Sequence, residues 1–346
     1  MSKFIEHSAA AQTAYAGLAQ AARQSNLHRS VADVPGGFAK KLVKGRLYWY
    51  HQVKSPDGKL QQLYVGPDDA ATRSLIEHHA DPVARGALSH LGRLCRSAMA
   101  LGCYGVIPKH ARVLARLADY GLFRAGGILV GTHAYLAYQN GFGVTWRAGD
   151  TTVDLDFAHS GRNISLAMPS DIKIDVHDAI ESLKMGFLPV VDRTRYTKAD
   201  EPDFDLDFLT SLHRGGDAPV PVPRLNITLQ PLKFMEFSME DPMVVVLPAS
   251  TGPIVVNAPR PERYALAKLL VHGERRASHP EKAAKDLEQA ATLIDYLSTY
   301  QPHELNEAWE DLLSRGPGWR SRAREGIEAL GGRHSGIECA IRWPCP

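Results

Sequence analysis

The sequence predicts an α+β protein: a central mixed sheet, with an N-terminal helix and β-ribbon region before it and a C-terminal helical bundle after it. Three observations carry that prediction. Between residues 122 and 258, apolar runs of strand length alternate with short helical patterns. The last quarter shows only helical periodicity, and Pro261, Pro280 and Pro302 each open a segment there. Residues 38–69 alternate aromatic and polar side chains around Pro56-Asp57-Gly58, a hairpin pattern. At 346 residues the chain has room for roughly two to three domains. Changes of texture put the boundaries at 1–107, 108–258 and 259–330, with a poorly ordered tail over 331–346.

Taken in order, residues 1–30 read as one Ala-rich helix. Residues 38–69 read as two or three strands lined by Lys40, Lys41, Lys44, Arg46, Lys54 and Lys59, with Tyr48, Trp49, Tyr50 and Tyr64 between them. Basic side chains interleaved with aromatics can follow a nucleic-acid backbone and stack its bases. The same residues also suit a small sheet that needs aromatics to pack and lysines to guard its edge. Residues 70–120 are helical, with Pro108 opening PKHARVLARLADYG. LFRAGGILVG (122–131) then reads as a glycine-bearing strand and THAYLAYQNG as a short helix. TTVDLDFA (151–158), ISLAMP (164–169), FLPVVD (187–192) and FDLDFLT (204–210) read as strands, with a helix near VHDAIESLKMG. MVVVLPASTGPIVVNA (243–258) is a hairpin around Ser250-Thr251-Gly252, and a fourth C-terminal helix reaches Ala329.

Composition narrows the field. With 44% hydrophobic and 23% charged residues the chain is an ordinary globular protein. A net charge of +2 leaves any nucleic-acid affinity to local basic patches. No apolar run approaches the ~18 residues of a membrane span, and Glu6 with helically spaced apolar residues makes the N-terminus a poor signal peptide. The four cysteines form no CxxC pair, so a reducing cytoplasm is the expected compartment. No GxGxxG, GxSxG or HExxH motif is present, which disfavours dinucleotide binding, serine hydrolysis and zinc peptidase chemistry.

The chemistry-bearing stretch is TTVDLDFA. In a strand, Asp154 and Asp156 share one face while Val153, Leu155 and Phe157 turn to the core. Paired carboxylates repel unless a cation lies between them, and Mg²⁺ is the cation that such oxygens suit best. A solvated edge strand is the plainer reading of the triplet taken alone. Upstream, Gly131-Thr132 ends an apolar strand and opens a helix, where a small residue, a hydroxyl and the helix N-terminus favour a phosphate. Downstream, Asp205-Leu206-Asp207 repeats the carboxylate pattern within a strand, so either aspartate can supply a third ligand. These parts make a coherent two-metal phosphoryl-transfer site. Lys268, His272 and Arg275 share one helix face, either solvated or gripping a triphosphate. Asp171, Asp175 and Asp178 read as capping or surface residues.

At these motifs the chain resembles the nucleotidyltransferases of the DNA-polymerase-beta-like superfamily, whose signature is a strand ending in h-G-[GS], a helix, then D-h-[DE]-h. GGILVGTHAYLAY, TVDLDFA, KMGFLP, FDLDFLT, PERYALAKLLV and KAAKDLEQA are also similar to bacterial nucleotidyltransferase toxins of abortive-infection and toxin–antitoxin systems, across roughly residues 108–330. The resemblance implies that Gly131 and Thr132 hold the triphosphate of an NTP and that Asp154 and Asp156 bind two Mg²⁺ ions (Mn²⁺ as substitute). It implies Asp207 as the third catalytic ligand, and Lys268 and Asp286 in the nucleotide pocket, to which the shared helix face adds Arg275. Thr132 departs from the Gly/Ser of the signature, and the 21 residues between Thr132 and Asp154 exceed its usual spacing, which an extra loop around GFGVTWRAGD must absorb. The expected acceptor is RNA, tRNA-like, held by Lys40, Lys41, Lys44 and Arg46, with a cognate antitoxin as a partner that the toxin likeness allows. A protein or small-molecule acceptor stays open, as does a non-catalytic binding module on the same fold; an intact set of carboxylates argues against that last reading.

Overall fold

The computed structural model describes residues 2–27, 37–43, 45–54, 60–70, 72–73, 76–77, 82–150, 152–160, 174–212, 216–275, 280–334 and 336–337. It is a mixed α+β fold, as the alternation of patterns predicts. Its centre is a seven-stranded mixed sheet whose main path runs β11 (Val220–Val222), β12 (Ile227–Leu232), β10 (Glu201–Ser211), β7 (Leu155–Ala158), β5 (Ile128–Val130). β10 runs parallel to both β7 and β12, and β5 is antiparallel to β7. Along the edge of β10 away from β7, β9 (Arg195–Lys198) pairs antiparallel with its first half, and β8 (Phe187–Val190) pairs with β9.

Alternation along β10 assigns the two faces. Phe204, Leu206 and Phe208 are buried, while Asp205, Asp207 and Leu209 turn the other way. On the first face they join Leu129, Leu155, Phe157 and Tyr196 in one core with α3 (Pro108–Asp119), α4 (Gly131–Phe142) and the C-terminal helices. Phe157 stacks on Phe208 with centroids 5.4 Å apart, which fixes β7 against β10. On the second face Ile128, Val130 and Ala158 form a smaller apolar patch with Leu209, Met235 and Met239. The aspartates therefore emerge beside this patch.

The C-terminal bundle is α7 (Pro261–Arg275), α8 (Pro280–Tyr300), α9 (Pro302–Ser314) and α10 (Pro317–Arg333), each opened by the proline that cannot donate inside a helix. α10 runs past Ala329 to Arg333, into what the sequence suggests is tail. The 243–258 hairpin forms as β13 (Met243–Leu247) and β14 (Ile254–Ala258). α5 (Val176–Ser182) is capped by Asp175, which accepts from the Asp178 amide at 2.8 Å. α6 (Met235–Met239) follows β12, and the N-terminal third holds α2 (Pro82–Ala100). The ribbon is a three-stranded antiparallel sheet, β2 (Gly37–Val43), β3 (Arg46–Lys54) and β4 (Leu60–Pro67). Its Pro-Asp-Gly turn and the ISLAMP segment lie outside the described residues.

Four local expectations change. Residues 1–30 are not one helix: Phe4–Glu6 forms β1, and Ser8 starts α1 (Ala9–Leu27) by accepting from the Ala11 amide at 3.2 Å. The GFGVTWRAGD loop contains β6 (Val144–Trp146), which pairs with β1. Phe4 packs edge-on against Trp146 and Tyr296, so aromatic contacts hold this long-range pair. The strand predicted at 122–131 shortens to Ile128–Val130, because Gly126 takes φ +94° and the Gly127 amide turns back to the Leu122 carbonyl. Finally, β7 begins at Leu155, so Val153 precedes the pairing and is 43% exposed instead of facing the core.

Candidate active site

β5 ends at Val130 and α4 starts at Gly131 with no side chain capping its first turn, leaving those amides open to an anion. Gly131 has φ +62°, and a Cβ there would stand 2.0 Å from Asp156 Oδ2. Glycine is thus required by the carboxylate itself, which sits against the turn. Thr132 is buried, and its hydroxyl accepts from Gln289 Nε2 at 3.3 Å. Gln289 also donates to the Gly149 carbonyl at 2.8 Å, and the Tyr264 hydroxyl lies 2.8 Å from both Gln289 Oε1 and the Gly131 carbonyl. Through these bonds α7 and α8 set the position of the α4 N-terminus.

Strand register gathers the carboxylates. Asp207 pairs directly with Asp156, and Leu206 with Leu155, across parallel strands. One step back along the same register puts Asp154 beside Asp205, and Asp205 feels the charge of both Asp154 and Asp207. Burial above all, with Asp207 and Asp154, pushes the Asp205 carboxyl above the usual range against the opposing charge of Arg195. Its Oδ1 is buried and has no hydrogen-bond partner.

Cations answer from three elements. Arg195 on β9 grips Asp207 with two bonds, Nε to Oδ1 at 2.6 Å and Nη2 to Oδ2 at 3.2 Å, and reaches Asp205 Oδ2 at 3.6 Å. Lys282 Nζ on α8 lies 3.7 Å from Asp154. Lys285, one turn on, has its ammonium pushed below the usual lysine range by burial and then by Lys268, while Asp154, Asp156 and Asp286 oppose that shift. Lys268 is held by the buried Asp286 at 2.5 Å and lies over the Tyr264 ring. Gly131, Thr132, Asp154, Asp156, Tyr264, Lys268, Lys282, Lys285 and Asp286 line one cavity of about 500 Å³, together with apolar residues such as Leu212, Leu232, Phe234 and Met235.

Set against expectation, Gly131, Thr132, Asp154, Asp156, Lys268 and Asp286 share this cavity. Asp207 adjoins Asp156 by register but is engaged by Arg195. His272, expected on the same face as Lys268, is buried and bonds the Ala283 carbonyl at 2.9 Å. The side chain of Arg275 and all of Lys44 lie outside the described residues. On the ribbon, Lys40 pairs with Asp68 at 3.1 Å and lies over Trp49, Lys41 lies over Tyr50, and Arg46 is exposed.

Sequence reasoning misses Arg195, Lys282, Lys285, Tyr264 and Gln289. Lys282, Lys285 and Gln289 fall at i, i+3 and i+7 of one helix with Asp286 among them, a spacing that could reveal them. Arg195 has no such signal, because only strand register brings it to Asp207. A buried pair behind the site also goes unread: His110 and His133 meet at 2.9 Å between Nδ1 and Nε2, and each keeps its other ring nitrogen unpartnered.

The donors present are carboxylate oxygens, which suit a hard divalent ion, and the orphaned Asp205 Oδ1 has capacity to spare. Among the described residues, however, no three acidic, histidine or cysteine side chains stand close enough to enclose an ion as they are placed. In this arrangement Arg195 bonds both oxygens of Asp207.

Carboxylates gathered beside a helix N-terminus and a row of lysines suit phosphoryl-transfer chemistry, where charge must be balanced from both sides. That class narrows to a family: the chain is a member of the nucleotidyltransferases, whose family model matches residues 108–314, more than half of its length. An NTP substrate follows from the membership. No curated protein and no solved structure gives a significant match. Among the described residues no helix is long and apolar enough to cross a membrane.

Proposed function

We propose that this nucleotidyltransferase moves a nucleotidyl group from an NTP to an acceptor hydroxyl with Mg²⁺ or Mn²⁺, and that RNA is the favoured acceptor. The observation that carries the reading is the set of four carboxylates on β10, β7 and the residue before β7, beside the uncapped N-terminus of α4. Asp154, Asp156 and Asp207 are the metal ligands in this reading. These carboxylates would hold the divalent ions, whose charge would offset the negative charge that builds up on the reacting phosphate. The amides at Gly131 and Thr132, with Lys282, Lys285 and Lys268, take the charge of the β- and γ-phosphates. The acceptor oxygen bonds the α-phosphorus as the bond to the bridging oxygen breaks, and pyrophosphate leaves towards α8. The acceptor's proton passes to the Asp205–Asp207 pair.

RNA is favoured because Lys41 and Arg46 are exposed beside the Tyr48, Trp49 and Tyr50 row of β3, apart from the cavity. The toxin likeness of the sequence agrees with an RNA target and a cognate antitoxin. Incubation with each α-labelled NTP, Mg²⁺ and total cellular RNA or protein tests the reading. Label in RNA that disappears in Asp154→Asn supports it. Label in protein alone moves the acceptor to a side chain, and no label in any fraction with any NTP sinks the proposal.

A further inference from the structure

We propose that Arg195 is the gate of the metal site: its guanidinium stands where a divalent ion has to sit between Asp207 and Asp205, and it swings outward when the ion binds. This rests on the reading of Asp154, Asp156 and Asp207 as metal ligands. Three observations support it. A planar fork bonded to both oxygens of Asp207 and close to Asp205 takes up the lone pairs a metal would use. Asp205 Oδ1 stays unpartnered nonetheless, so one cation serves a site with more donor capacity than it uses. And the Arg195 side chain is 48% exposed while its two carboxylates are under 20%, so the arginine can move with less unpacking than the aspartates.

The backbone before Arg195 fixes where that swing starts. Val191, Asp192 and Arg193 all have left-handed φ, at 48°, 53° and 66°, a conformation that side-chain-bearing residues, and β-branched valine above all, adopt rarely. The turn is held by Thr194, whose hydroxyl donates to the Val191 carbonyl and whose carbonyl accepts from Phe208, and by Arg193 bonding Asn226 at 2.5 Å. This turn leads into β9, where Arg195 stands opposite Asp207 in register across the β9–β10 pair. The gate makes metal entry and loss of the Arg195–Asp207 pair one event.

The test is Mn²⁺ binding without NTP, read by electron paramagnetic resonance and by the Mn²⁺-induced rise in melting temperature. It compares wild type, Arg195→Gln, Asp207→Asn and the double variant. Removing a masking pair of this exposure should tighten Mn²⁺ binding about three- to fivefold in Arg195→Gln. In the Asp207→Asn background the same change should alter it less than about twofold, because the carboxylate it masks is gone. An equal gain in both backgrounds means that Arg195 acts only through its long-range charge, and no gain in either means that it does not compete; both overturn the gate. Asp154→Asn and Asp156→Asn identify the other failure: if both bind Mn²⁺ as wild type does, the metal reading itself is wrong and the gate falls with it.

Discussion

Gly131 shows how little room the site allows. Its left-handed φ already disfavours any side chain, and a Cβ would collide with Asp156 Oδ2 at 2.0 Å. Gly131→Ala should cost about 1–2 kcal/mol in stability and, by displacing Asp156, lower nucleotidyl transfer on the order of 10²-fold. Thermal melts and initial rates measured together check this; a variant with normal rates would remove Asp156 from the chemistry. His110 and His133 make a second residue-scale test. Burial pushes His110 to about 4 and, with the neighbouring His110, His133 to about 3, so both are neutral at pH 7. In the unfolded chain they protonate near pH 6.5, so the unfolded state binds more protons below that pH. Their contribution is therefore whole above about pH 6.5 and is lost progressively as pH falls towards 4 and then 3. Stability measured by denaturant between pH 7 and 4 should fall, and His133→Phe should flatten that slope.

At the scale of elements, α7 and α8 are tied by Lys268 and Asp286, whose side chains are 14% and 4% exposed. Removing one partner of a pair this buried strands the other, so Lys268→Ala should destabilise by about 3–5 kcal/mol, while replacing both by apolar residues should cost far less. A chemical-denaturation double-mutant cycle reads the difference, and equal losses in single and double variants would show that the pair is not what matters. The same ion pair marks where sequence reasoning stops. Helical periodicity and the prolines at 261, 280 and 302 disclose these helices, and the D-h-D spacing discloses the acidic face. That Lys268 spends its charge on Asp286, leaving Lys282 and Lys285 nearer the carboxylates, depends on how α7 crosses α8, which no local pattern encodes. Val153 is a similar case: alternation alone continues the strand back to it, but pairing begins only at Leu155.

Across the whole molecule, the long gap between Thr132 and Asp154 is absorbed by β6, which takes β1 as a strand partner, pairing Phe4 with Trp146, Ile5 with Thr145 and Glu6 with Val144 across the sequence. Such a contact is invisible to spacing rules, and so is the Arg195–Asp207 register. The ribbon is legible as strands, whereas its role is a property of the assembled surface. If it carries RNA, replacing Lys40, Lys41, Lys44 and Arg46 together should reduce the salt dependence of binding by ~0.7 in log–log slope for each lost phosphate contact. Lys40, already paired with Asp68, should contribute least. Turnover at saturating acceptor should hold while the acceptor KM rises; an unchanged salt slope would make the ribbon a purely structural sheet. The central claim, that the carboxylates of β7 and β10 move nucleotidyl groups, is tested most directly by counting pyrophosphate released per NTP with Mg²⁺ in wild type and in Asp154→Asn and Asp156→Asn. Each variant should fold as wild type does and release on the order of 10²- to 10³-fold less. Wild-type release rates in both variants would contradict the account.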